Sequence, residues 1–116
     1  MNLGFVRVAA ATPEICVADC QHNKNEIIKL IKEANGNGAS LVVFPELCIT
    51  GYTCGDLFLQ RTLVEGAKQA VTDIVKATAD LDLVSVVGLP VAAGGGLYNC
   101  GAVICKSKII CLVQKI

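Results

Sequence analysis

The residues Leu41 to Phe44, "LVVF", are apolar without a break and stop at Pro45-Glu46. A strand that is apolar on both faces has to be covered on both, which is the habit of parallel sheets. Parallel neighbours need a crossover between them, usually a helix. The rest of the chain supplies those pieces. "LGFVRVAAA" (Leu3 to Ala11) reads as a first, largely buried strand, ended by Pro13. Asp19 is placed to cap a helix over residues 20–35, in which Ile27, Leu30, Ile31 and Ala34 recur at helical spacing. "NGNG" (Asn35 to Gly38) stops that helix.

Asp56 is placed to cap a second helix over residues 60–79, with Leu63, Ala67, Ala70, Val71, Ile74 and Thr78 along one stripe. "LVSVVGLP" (Leu83 to Pro90) reads as a third strand stopped by Pro90, and "AAGGG" (Ala92 to Gly96) as a flexible loop. "LYNCGAVIC" and "IICLVQ", on either side of Lys106-Ser107-Lys108, predict an antiparallel hairpin. The predicted order is β-α-β-α-β-β-β, an α/β layered fold. The strand pattern runs to the last residues with no closing helix, and helices on one side only leave a sheet face bare. The expectation is one partial domain over residues 1–116, of limited stability by itself.

Composition narrows the partners. The chain has 116 residues, 10 basic and 10 acidic, so its net charge is zero. That leaves no electrostatic footprint for nucleic acid or an anionic membrane. The hydrophobic fraction of 53% is high for so short a chain, which predicts either an oligomer, here a homo-oligomer, or part of a larger fold. No apolar run reaches membrane-spanning length, and no signal peptide is evident at the start. The seven cysteines form no C-x-x-C pair, which fits buried, reduced thiols in the cytoplasm. His22 is the only histidine, so no metal site is expected.

Glu46 lies two residues past "LVVF", where a parallel sheet presents its functional loops. Apolar walls disfavour a charged carboxylate and raise its pKa toward the range of a general base. The rival reading is a loop carboxylate paired with a lysine.

"FPEL" followed by "GY" and "DL" resembles the nitrilase, or carbon-nitrogen hydrolase, superfamily. "VVGLPV" (Val86 to Val91), "LYNCGAV" (Leu97 to Val103) and "VQKI" (Val113 to Ile116) follow in the order of that superfamily, so the resemblance covers essentially the whole chain. It implies a nitrilase-like α-β-β-α sandwich, of which this chain is an N-terminal portion. It also implies a Glu-Lys-Cys triad, with Glu46 as general base and Lys115 as the cation that holds the oxyanion. Tyr52 would line the substrate pocket. The nucleophilic cysteine of the family lies well downstream of the lysine, so Cys48 is read as a packing residue.

Within the superfamily, "GYTCGDLFLQ" is most similar to the glutaminase domains of glutamine-dependent NAD synthetases. This implies glutamine as substrate and no cofactor in this domain. ATP and magnesium would serve a separate synthetase domain of the same chain. Two alternatives stand beside this: a stand-alone amidase acting on another small amide, and a truncated, non-catalytic assembly partner.

Overall fold

The computed structural model describes residues 6–51 and 61–115. Its elements follow the predicted order: β1 (Val8–Ala10), α1 (Cys20–Gly36), β2 (Leu41–Val43), α2 (Arg61–Ala77), β3 (Val84–Ala93), β4 (Gly96–Cys105) and β5 (Lys108–Gln114). The strands form one sheet in the order β1-β2-β3-β4-β5. β1, β2 and β3 are parallel, and β4 and β5 return antiparallel. The two β-α-β crossovers step the same way along the sheet, and α1 packs against α2. Both helices therefore fall on one face.

The helices are built as their stripes predict. Asp19 Oδ1 accepts from the His22 backbone N–H at 3.0 Å, which caps the start of α1. Ile27, Ile31 and Ala34 of α1 and Leu63, Ala67, Ala70, Val71 and Ile74 of α2 are buried against the sheet. Burying an isoleucine such as Ile74 contributes about 1.5–3 kcal/mol relative to leaving it in water. Lys24 and Asp73 bridge the two helices at 3.2 Å, and Gln69 donates to the same carboxylate at 3.0 Å.

The opposite face of the sheet is open, which corrects two expectations. β1 is an edge strand with Val8 61% exposed, not a largely buried one, and Val43 of β2 is 41% exposed rather than covered. Only alternate residues of β2 and β3, such as Val42, Ser85 and Val87, face the helices. Cys20, Cys48 and Cys100 are buried as expected, whereas Cys16 and Cys111 are exposed.

Pro90 does not stop β3. The strand runs on to Ala93, and Pro90 pairs opposite Asn99 of β4. The carbonyls of Val86 and Gly88 point toward β2, accepting from Phe44 and Ile49. By alternation Pro90 points the same way, beyond the last residue paired with β2. Its missing N–H faces away from β4, so the hairpin ladder loses nothing. "AAGGG" is likewise no loose loop. Gly94 and Gly95, both at positive φ, make a two-residue hairpin turn, and its neighbours belong to the strands. Lys106 and Ser107 close the second hairpin at φ 46° and 61°, a left-handed pairing without the glycine that such turns prefer.

Candidate active site

Beyond Val43 the chain leaves the ladder and folds over the end of β3. Phe44 still donates its N–H to the Val86 carbonyl at 3.0 Å, and Ile49 donates to Gly88 at 3.2 Å. Between these two bonds the backbone of residues 45–47 crosses over Gly88 on the open face. A Cβ at position 88 would stand 3.0 Å from the Pro45 carbonyl oxygen and 3.1 Å from the Glu46 carbonyl carbon. Only glycine leaves room for that crossing. Leu47 then turns back at φ 53°, a costly conformation for a bulky side chain, and is itself buried.

The crossing carries Glu46 toward β4 and the end of β5. Its Oε1 lies 2.5 Å from Lys115 Nζ, with the two side chains 30% and 60% exposed. Lys115 lies one residue past β5, and its backbone N–H donates to the Asn99 carbonyl at 2.8 Å. Asn99, Gly101 and Val103 alternate with the inward-facing Cys100, Ala102 and Ile104, so Asn99 belongs to the open face. A recess of about 160 Å³, lined by Leu47, Pro90, Leu97, Tyr98 and Asn99, lies beside the pair.

The electrostatics correct the sequence reading. The carboxyl of Glu46 is held below its ordinary range, chiefly by the hydrogen bond from Lys115 and further by Asn99, against a smaller opposing effect of burial. A cation in contact outweighs the apolar walls. Cys48 is opposite in character. It is 2% exposed, and burial pushes its thiol up to about 11. Its Sγ lies 3.7 Å from the Gly88 carbonyl, the environment of a packing thiol. Tyr52 and Asp56 lie outside the described residues.

Three contributors were not singled out from the sequence. Gly88 stands inside a strand, which is itself a sign of close backbone approach. Asn99 is a poor strand former. Asn23 falls on the apolar stripe of α1, four residues before Ile27. It is fully buried. Its amide accepts from the Cys16 N–H and donates to the Cys16 and Ile49 carbonyls, all at 2.8 Å. It thus ties the segment after Glu46 to the β1–α1 connection. Among the described residues, no three His, Cys, Asp or Glu side chains gather as a metal site, and no helix is long and apolar enough to cross a membrane.

Glu46 and Lys115 thus meet at the carboxyl ends of β2 and β5. Residues 7–116 match the Carbon-nitrogen hydrolase family, and the chain belongs to it. Its relatives include glutamine-dependent NAD(+) synthetases. That of Mycobacterium leprae is 36% identical over 112 residues, 97% of this chain and 16% of the relative. That of Xylella fastidiosa is 36% identical over 106 residues, 90% of this chain and 19% of the relative. The solved glutamine-dependent NAD(+) synthetase of Cytophaga hutchinsonii matches with a TM-score of 0.88 at 30% identity, over 95% of this chain and 19% of that one. An amidase from Nesterenkonia, 23% identical, shares the fold at a TM-score of 0.77 over 96% of this chain and 43% of its own. The chain thus spans 16–20% of the curated relatives it matches. Its helix layer and single sheet are an N-terminal portion of the nitrilase-like α-β-β-α sandwich.

Proposed function

We propose that this chain is the N-terminal part of the glutamine amidohydrolase domain of a glutamine-dependent NAD synthetase. The observation that carries the reading is the 2.5 Å contact between Glu46 and Lys115, set in a chain whose relatives are such synthetases. Glu46 acts as general base and Lys115 as the cation for the oxyanion. A cysteine thiol, supplied from outside residues 1–116, attacks the side-chain amide carbon of glutamine. Glu46 takes the thiol proton and hands it to the leaving ammonia. Lys115 stabilises the negative oxygen of the tetrahedral intermediate. Water then cleaves the thioester.

The lowered pKa of Glu46 fits this cycle. Contact with Lys115 keeps the carboxylate ionised and ready to accept a proton. As Lys115 turns toward the developing oxyanion, Glu46 loses part of that stabilisation and becomes a stronger base. By the family resemblance, Tyr52 contributes to the substrate pocket. ATP and magnesium belong to the synthetase reaction, which uses the ammonia to amidate deamido-NAD. The parent protein is a cytoplasmic homo-oligomer; the free cysteines among the described residues of this chain fit a reducing compartment. The 116-residue chain alone is inactive.

The test is to supply the full-length gene product with L-glutamine and with other small aliphatic amides, and to measure ammonia. Preferential hydrolysis of glutamine, with transfer of its nitrogen to deamido-NAD in the presence of ATP, supports the proposal. Hydrolysis of the other amides with glutamine untouched selects the stand-alone amidase instead. No amidase activity of any kind selects the non-catalytic partner.

A further inference from the structure

Leu47 holds a backbone conformation that its side chain disfavours, with φ at 53°. The chain is anchored on either side of it. Before it, the Phe44 N–H donates to the Val86 carbonyl at 3.0 Å. After it, the Ile49 N–H donates to Gly88 at 3.2 Å, and the Gly51 N–H donates back to the Leu47 carbonyl at 2.8 Å. The Asn23 amide holds the Ile49 carbonyl at 2.8 Å. With both ends fixed, the φ of Leu47 sets the angle between the Glu46 segment and the turn that follows. An ordinary helical φ near −60° would rotate one against the other by roughly 110°.

The side chain of Leu47 supplies the compensation. Pro45 is exposed and Glu46 half-buried, but Leu47 is only 7% exposed. It lines the recess shared by Pro90, Leu97, Tyr98 and Asn99. Its backbone nitrogen is also the atom that a Cβ on Gly88 would strike first.

We propose that Leu47 is a positioning residue for Glu46: burial of its side chain at the Pro90–Leu97 recess holds the left-handed turn that aims the carboxylate at Lys115. The strain is local and the reward is at the neighbouring residue. Without the buried side chain, the turn is free to take an ordinary φ, and Glu46 swings off the lysine. The catalytic consequence rests on the reading of Glu46 as general base; the placement itself does not.

The test compares Leu47→Ala, Leu47→Gly and Leu47→Met in the full-length gene product. Alanine loses the buried side chain and keeps the cost of a Cβ at positive φ. Glycine loses the side chain and the cost together. Methionine keeps an apolar side chain of similar volume. The glycine variant should therefore unfold in urea at or above the midpoint of the alanine variant, yet be no more active. Both should lose kcat for glutamine by about 10²-fold with KM little changed, as a misplaced catalytic group does. Methionine should restore most of kcat. Wild-type kcat in a folded Leu47→Gly protein, or a loss in Leu47→Met as large as in Leu47→Ala, overturns the proposal. If Leu47→Ala does not fold, the glycine and methionine variants carry the comparison. A wild-type protein that does not hydrolyse glutamine counts against the functional reading, and the placement is then read from a crystal structure of Leu47→Gly. Glu46 parted from Lys115 there supports the proposal, and an intact contact overturns it.

Discussion

Gly88 and Glu46 are in backbone contact: a Cβ placed on Gly88 would sit 3.1 Å from the Glu46 carbonyl carbon. The general-base candidate is therefore not on a free loop. It is carried across β3 by a segment that fits only over a glycine, and that segment delivers it to Lys115.

Gly88→Ala tests that dependence. The new methyl meets backbone rather than a flexible side chain, so the segment has to shift. Overpacking of this kind destabilises by about 1–3 kcal/mol. The urea unfolding midpoint should fall, and the shift should separate Glu46 from Lys115 in a crystal structure of the variant. An unchanged midpoint with the ion pair in place would show that the crossing tolerates a side chain.

Asn23→Ala tests the tether behind the site. The substitution strips partners from the Cys16 N–H and from the Cys16 and Ile49 carbonyls. Leaving such buried groups unpaired costs about 1–3 kcal/mol each where water cannot replace the amide. Chemical denaturation should show a loss of at least that order. Faster amide exchange at Ile49 should accompany it, because the bond from Ile49 to Gly88 lies on the same segment.

Acid stability carries the sign of the Glu46 pairing. The folded carboxyl lies below its ordinary value near 4.5, so as the pH falls the unfolded chain binds a proton first. The stability this group contributes is whole above that value and is lost as the pH drops through the lower folded value. Asp73 is shifted in the same direction by Gln69 and Lys24 and adds to the effect. Urea midpoints measured from neutral pH down to about pH 3 should fall. They should fall less steeply in Glu46→Gln, which has no proton to bind.

Cys48 should be inert while the protein is folded. With its thiol pushed up to about 11, only about one molecule in a thousand carries the reactive thiolate at pH 8. Iodoacetamide followed by mass spectrometry should label Cys16 and Cys111 early and Cys48 only in denaturant. Labelling of Cys48 at the rate of Cys16 would make it a candidate nucleophile after all.

The helices were legible because their apolar stripes and the Asp19 cap are local signals, and a stripe buries wherever the sheet lies. The strands were legible as strands but not in their cover, because exposure depends on which neighbours a residue meets. Pro90 shows the same limit. Its missing N–H is plain in the sequence, but the edge it faces is set by the register with β2 and β4. The position of Glu46 could be read from its motif, and that of Lys115 from family resemblance. The direction of the Glu46 pKa could not, because the cation responsible arrives from the far end of the chain. Asn23 shows as a polar residue among apolar ones, a sign of buried hydrogen bonding, but its partners are fixed only by the fold.

The central claim is that Glu46 is the base of a glutamine-hydrolysing pair with Lys115. The most direct measurement is ammonia release from L-glutamine by the full-length gene product carrying Glu46→Gln, with thermal unfolding as a check on folding. Removing a general base predicts a loss in kcat/KM of about 10²–10⁴-fold with the fold retained. Wild-type turnover in the folded Glu46→Gln protein would contradict it.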